Sequence, residues 1–173
     1  DMLCEKPLAL NLADARAAAA AVEKAGVRLQ VGFMRRYDPG YLAAMKRIAA
    51  GEIGTPVVFK SIGRDKDGPP VSAYASGVNG MLFYTNTVHD FDLARWLMGS
   101  EVARVSAEGT LQVCENLQAV GDIDNALVNL RFVNGALGNV EVSRNAFYGY
   151  DIRTEVLGSE GAINIGVYQH TPV

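Results

Sequence analysis

A strand–helix–strand spacing at the head of the chain restricts its fold more than any other feature. Met2-Leu3-Cys4 is a short apolar run, followed by Glu5-Lys6 and stopped by Pro7, which reads as the end of a buried strand. Asn11 is placed to cap a helix from about Leu12 to Ala25, which holds five consecutive alanines at 17–21 and stops at Gly26. Val27 to Phe33 then reads as a second strand. Such spacing, about 30 residues, belongs to one right-handed βαβ unit of a parallel sheet. One unit cannot cover both faces of a sheet, so these residues are expected to be the tail of a larger domain.

Beyond Tyr41 the pattern changes. Tyr41 to Ala50 reads as a short amphipathic helix, and Pro56 to Ile62 as a strand. The glycine- and proline-rich residues 63–80 read as a long loop, and Thr87 as the cap of a helix from Val88 to Leu97, ended by Gly99. Strands follow: Val102 to Val113, then Asn125 to Phe132 and Ala136 to Ser143 around Asn134-Gly135. Asn-Gly between alternating strands is a strong hairpin signal, because both residues tolerate positive φ. Ile152 to Leu157 and Ala162 to Ile165 look like another hairpin. The expected fold class is α+β: a large, mostly antiparallel open sheet with helices on one face, preceded by the βαβ unit. Val128, Leu130 and Phe132 alternate with Leu127, Asn129 and Arg131. Since helices cover only one side, an exposed apolar face that pairs with a second copy is expected.

Composition removes several classes of function. Sixteen basic against nineteen acidic residues give a net charge of −3, with no basic stripe to hold nucleic acid. Cys4 and Cys114 form no disulfide framework, and with only His89 and His170 no metal-ligand spacing arises. No apolar run approaches the about 20 residues that cross a bilayer, and the first residues lack the features of a signal peptide. The expectation is a cytoplasmic protein without a membrane partner.

Few residues are placed for chemistry. Lys6 stands at the end of a candidate parallel strand, where open α/β sheets bind ligands, although position alone also suits a surface lysine. His89 is expected at a helix N-terminus, whose dipole disfavours the imidazolium and keeps the base available; a capping or core histidine would look the same. Asp90 and Asp92 are expected to serve the helix dipole or to pair with Arg95. Arg35 and Arg36 follow the second strand and point in different directions, so one is expected to be a solvated or structural partner. Trp96 reads as core. The residues hold no G-x-G-x-x-G, nucleophile elbow or metal cluster.

In order, Glu5-Lys6-Pro7, Val31-Gly32-Phe33-Met34-Arg35-Arg36-Tyr37-Asp38, Gly51-Glu52-Ile53-Gly54 and His89-Asp90-Phe91-Asp92-Leu93-Ala94-Arg95-Trp96-Leu97-Met98-Gly99 resemble the glucose–fructose oxidoreductase, inositol dehydrogenase and MocA family. The resemblance spans essentially the whole chain, and the stretch from Phe33 to Asp38 is especially similar to inositol 2-dehydrogenases. It implies that residues 1–36 are the tail of an NAD- or NADP-binding Rossmann domain. Residues 37–173 would be a substrate-binding and oligomerisation domain, cut short at its end. The dinucleotide fingerprint would lie upstream, so residues 1–173 alone are expected to be inactive.

The resemblance also assigns roles. Lys6 and His89 match the catalytic lysine and the acid/base histidine, and the bond before Pro7 would be cis. Glu5, Lys6 and Pro7 would border the cofactor. Arg35, Tyr37, Thr85, Asn86 and Tyr148 would meet a sugar or polyol, with Tyr148 on the far wall. One departure stands out. The family commonly carries an aspartate four residues before the histidine, where this chain has Thr85. Three readings follow: a dehydrogenase of a cyclic polyol or sugar, a non-catalytic polyol-binding oligomerisation domain, and a glycosidase that works by transient oxidation. The resemblance also implies a homo-oligomer through the open sheet face.

Overall fold

Asn11 opens the first helix as its sequence directs, its side-chain oxygen accepting the Asp14 amide at 2.8 Å. The structure, a computed structural model, describes residues 1–68, 70–74 and 80–166, so His170 and part of the expected loop lie outside the described residues. Helix α1 (Leu12–Ala25) ends at Gly26, which takes φ 62°. Strands β1 (Met2–Cys4) and β2 (Leu29–Val31) pair in parallel on either side of it. The second strand starts later than Val27 because the Val27 amide still bonds to Val22, inside the helix terminus. No residue of α1 is buried, so this unit leaves its helix uncovered.

A 3₁₀ turn, Met34–Tyr37, leads into α2 (Pro39–Ala49). That helix begins two residues before the expected Tyr41, because the Asp38 carboxylate caps the Gly40 and Tyr41 amides and Pro39 suits the first position. Strand β3 (Pro56–Arg64) and a short turn at Val71–Tyr74 follow.

The next helix departs from expectation. Residues 81–82 are already helical, Phe83–Thr87 form a π-helical turn, and α3 (Val88–Met98) continues from it. Thr87 is therefore no cap; its hydroxyl donates to the Leu82 carbonyl inside the widened turn.

Strands β4 (Val102–Thr110), β5 (Asn125–Phe132), β6 (Leu137–Ser143), β7 (Asp151–Gly158) and β8 (Ala162–Ile165) are the remaining strands among the described residues. β4 stops short of Val113 because the amides of Gln112, Val113 and Cys114 turn onto the Asp124 carboxylate. Gly135, at φ 88°, makes the tight β5–β6 turn. The six strands lie in the order β4-β5-β6-β3-β7-β8. All pairs are antiparallel except β3 with β6.

The fold is thus the expected α+β, but its faces differ from expectation. The apolar alternation Val128, Leu130, Phe132 points toward the helices, where it meets Leu93, Leu97 and Phe59 in the core. Each such side chain contributes about 1.5–3 kcal/mol by leaving water. The exposed face is mixed rather than apolar: Leu127 and Leu137 stand among Asn129, Arg131, Asn139 and Lys60. No described helix is long and apolar enough to cross a membrane.

Candidate active site

Three chain segments meet at the carboxyl ends of β1 and β2. β1 delivers Lys6, whose peptide bond to Pro7 is cis. Its ammonium donates to the main-chain carbonyl of Thr85 at 2.6 Å. Thr85 lies one turn before His89 on the same continuous helix, so Lys6 and His89 converge although far apart in sequence. β2 delivers Phe33, whose ring stands edge-on to the imidazole at 6.3 Å between centroids.

The electrostatics of the pair follow from this packing. Burial lowers the pKa of His89 to about 4, and the Arg35 and Lys6 cations push in the same direction. The expected cause, a helix N-terminus, does not apply, since helix precedes His89. At neutral pH the imidazole is uncharged. Its Nδ1 is buried without a hydrogen-bond partner, which leaves Nε2 to meet a ligand. Burial also lowers the Lys6 pKa, while the carboxylates of Asp65 and Glu5 work against that shift.

Both arginines after β2 are paired, and with the two aspartates expected to serve the dipole or Arg95. Arg35 donates to Asp90 at 2.8 Å, and Ser61 from β3 donates to the same carboxylate oxygen at 2.6 Å. Arg36 grips Asp92 through two 2.7 Å bonds and lies over the Trp96 ring, which is only partly buried. Arg95 instead pairs with Glu101. These clamps fasten the 3₁₀ turn after β2 onto α3 and thereby set Phe33 against His89.

The remaining candidates are distributed unevenly. Glu5 is exposed beside Lys6, and Asn86 follows Thr85 on the π-helical turn. Tyr37 is 64% exposed and has no hydrogen bond among those described. Tyr148 is not brought to the pair: its hydroxyl accepts from Arg64 and donates to Asp151, joining a charged network that includes Glu141 and Arg153. Thr85 is committed within the protein. Its hydroxyl donates to the Met81 carbonyl at 2.7 Å and accepts from Arg144 at 3.1 Å.

Arg144, Ser61 and Asp65 were not singled out by sequence reasoning. Arg144 follows a strand as an isolated basic residue, which ordinarily signals a solvated turn, yet it is 1% exposed. Asp65 follows β3 in a charged, glycine-rich stretch, and only the fold places it near Lys6.

Comparison with known proteins bears on the family. Residues 41–164 match the family model described as GFO/IDH/MocA C-terminal domain. Residues 1–33 match that of the oxidoreductase family, NAD-binding Rossmann fold. The chain is 45% identical over 169 residues to the scyllo-inositol 2-dehydrogenase (NAD(+)) of Bacillus subtilis, covering 98% of this chain and 49% of that one. A myo-inositol dehydrogenase from Corynebacterium glutamicum superposes with a TM-score of 0.87 at 33% identity, covering 99% of this chain and 50% of that one. The scyllo-inositol dehydrogenase of Lactobacillus casei, solved with NAD(H) and scyllo-inositol, gives 0.83 at 28% identity over 94% of this chain and 49% of its own. The chain spans about half the length of the curated relatives it matches. With one family model covering most of its residues and another its first strands, the chain belongs to the GFO/IDH/MocA oxidoreductase family.

Proposed function

We propose that the complete protein is an NAD(P)-dependent dehydrogenase that oxidises a ring hydroxyl of a cyclic polyol, inositol being the substrate class. The observation that carries this reading is the meeting of one ammonium, Lys6, with one uncharged imidazole, His89, at the ends of two parallel strands. That donor set fits a nicotinamide cofactor, which Glu5, Lys6 and Pro7 would border. When bound, the nicotinamide supplies the acceptor for the hydride that leaves the carbinol carbon. The inositol dehydrogenases among the relatives, one solved with NAD(H), support NAD as the form used.

The protein's own groups do the rest. Lys6 has three N–H donors, one of which goes to Thr85, so the others remain for the substrate oxygen. Negative charge grows on that oxygen as its proton leaves, and the ammonium stabilises it in a site partly shielded from water. His89 accepts the hydroxyl proton at Nε2. Arg35, tied to Asp90, is held close enough to act on the same imidazole. In this reading residues 1–36 close the cofactor domain and residues 37–173 form the substrate domain. The mixed outer sheet face would pair with a second copy.

Steady-state kinetics of the full-length protein with myo- and scyllo-inositol test the reading. His89→Ala should lower kcat by about 10²–10⁴ through loss of the general base. Lys6→Ala should lower it at least as much. Full activity in either variant, or no inositol-dependent reduction of NAD or NADP by the parent, would sink it.

A further inference from the structure

We propose that Arg144 is a positioning residue that seats the Lys6 ammonium by acting through Thr85. The kinetic consequence of this role rests on the dehydrogenase reading; the geometry does not. Thr85 is held from three sides. Its hydroxyl proton goes to the Met81 carbonyl at 2.7 Å, its hydroxyl oxygen receives Arg144 Nη2 at 3.1 Å, and its carbonyl receives Lys6 Nζ at 2.6 Å. A threonine side chain has few rotamers, so fixing its hydroxyl in both directions also fixes the backbone that carries the carbonyl. This matters because Thr85 stands within the π-helical turn Phe83–Thr87, where regular helical bonding is interrupted.

The fold brings Arg144 there by a long route. β6 runs parallel to β3, with Ser143 opposite Arg64, and β6 also lies against the π-helical turn, which Arg144 reaches through Thr85. The Arg144 amide bonds to the Asp124 carbonyl at 2.9 Å. Its guanidinium is 1% exposed and faces the buried Asp122 carboxylate at 3.7 Å. A buried ion pair is a weak source of stability, since desolvation offsets the attraction. A charged donor on a neutral hydroxyl, by contrast, fixes geometry well. The cation thus stands behind Thr85 while the Lys6 ammonium stands before it, on the carbonyl that Thr85 presents. An ammonium that must meet a developing alkoxide tolerates little displacement.

The test uses the full-length protein and the variants Thr85→Val, Thr85→Ser, Arg144→Met and the double variant Arg144→Met/Thr85→Val. One readout is independent of turnover: the rate at which acetic anhydride labels Lys6, mapped by mass spectrometry at fixed pH. Thr85→Val and Arg144→Met should each label about two- to tenfold faster, the scale of one lost hydrogen bond. The double variant should match the singles, and Thr85→Ser the parent. In inositol oxidation the first two should lower kcat about 10- to 100-fold, with KM within about twofold. Unchanged Lys6 labelling in Thr85→Val and Arg144→Met, or additive effects in the double variant, would overturn the proposal. If Arg144→Met does not fold, Arg144→Lys takes its place: it keeps the charge beside Asp122 but is too short to hold the Thr85 hydroxyl. Labelling of Lys6 at the parent rate in Arg144→Lys then overturns the proposal. A parent protein without inositol oxidation would overturn the dehydrogenase reading, and the labelling comparison would still decide the role of Arg144.

Discussion

Arg35 and Asp90 form a buried pair at 2.8 Å, joining the turn after a parallel strand to the residue that follows His89. The carboxylate side chain is fully buried, and it also receives the Ser61 hydroxyl. Removing one partner of such a pair leaves an uncompensated charge. Asp90→Ala should therefore cost about 3–5 kcal/mol of folding stability. Chemical denaturation of the full-length protein measures this, and a loss below about 1 kcal/mol would show that the pair is not the clamp described.

The imidazole of His89 should remain neutral down to about pH 4, because burial and two nearby cations oppose its protonation. In the unfolded chain a histidine takes its proton near pH 6.5. Between these values the unfolded state binds more protons, so His89 makes stability fall as pH drops from about 6.5 to about 4, and adds nothing further below that. Heteronuclear NMR titration follows the ring directly. A midpoint at or above 6.5 contradicts the site's electrostatics.

Thr85→Asp would set a carboxylate against Arg144 in place of a hydroxyl 3.1 Å away, and would lose the proton now given to Met81. It also introduces the acidic residue that the family resemblance implies at this position. The expected outcome is faster oxidation of inositol by the full-length protein. Slower oxidation would show a site shaped around the neutral hydroxyl.

Gly158 ends β7 where an added Cβ would overlap the main-chain carbonyl of Ile53. Neither backbone can move cheaply, since the Glu160 amide also bonds to that carbonyl at 3.0 Å. Gly158→Ala should cost about 3 kcal/mol, the upper end of ordinary overpacking. Thermal unfolding checks it, and an unshifted midpoint would refute the close approach.

Local chemistry made some of this structure readable in the sequence. Asn11 and Gly26 announce α1, and Asn134-Gly135 announces the β5–β6 hairpin, because capping and positive φ act within a few residues. The run Phe83 to Thr87 hid its conformation, since aromatic and β-branched residues favour strands while tertiary packing here makes a π-helical turn. Within the site, Lys6 and His89 were legible from strand ends and the family pattern. The pairing of Arg35 and Arg36 with Asp90 and Asp92 was not: those partners lie 55 and 56 positions apart, and no periodicity links them. Arg144 was hidden for the same reason, its burial depending on β6 lying beside β3.

That parallel pairing also dictates an order of assembly. β3 is complete by Arg64, but its neighbours on either side are residues 137–143 and 151–158. A nascent chain that has reached only the hairpin turn holds its central strand with both edges open, a state that invites pairing with other chains. β3 gains its neighbours only when residues 137–158 emerge, so topology rather than any weak element sets the order in which the sheet closes. Premature termination anywhere before Leu137 would therefore be expected to yield aggregate rather than a smaller soluble fold.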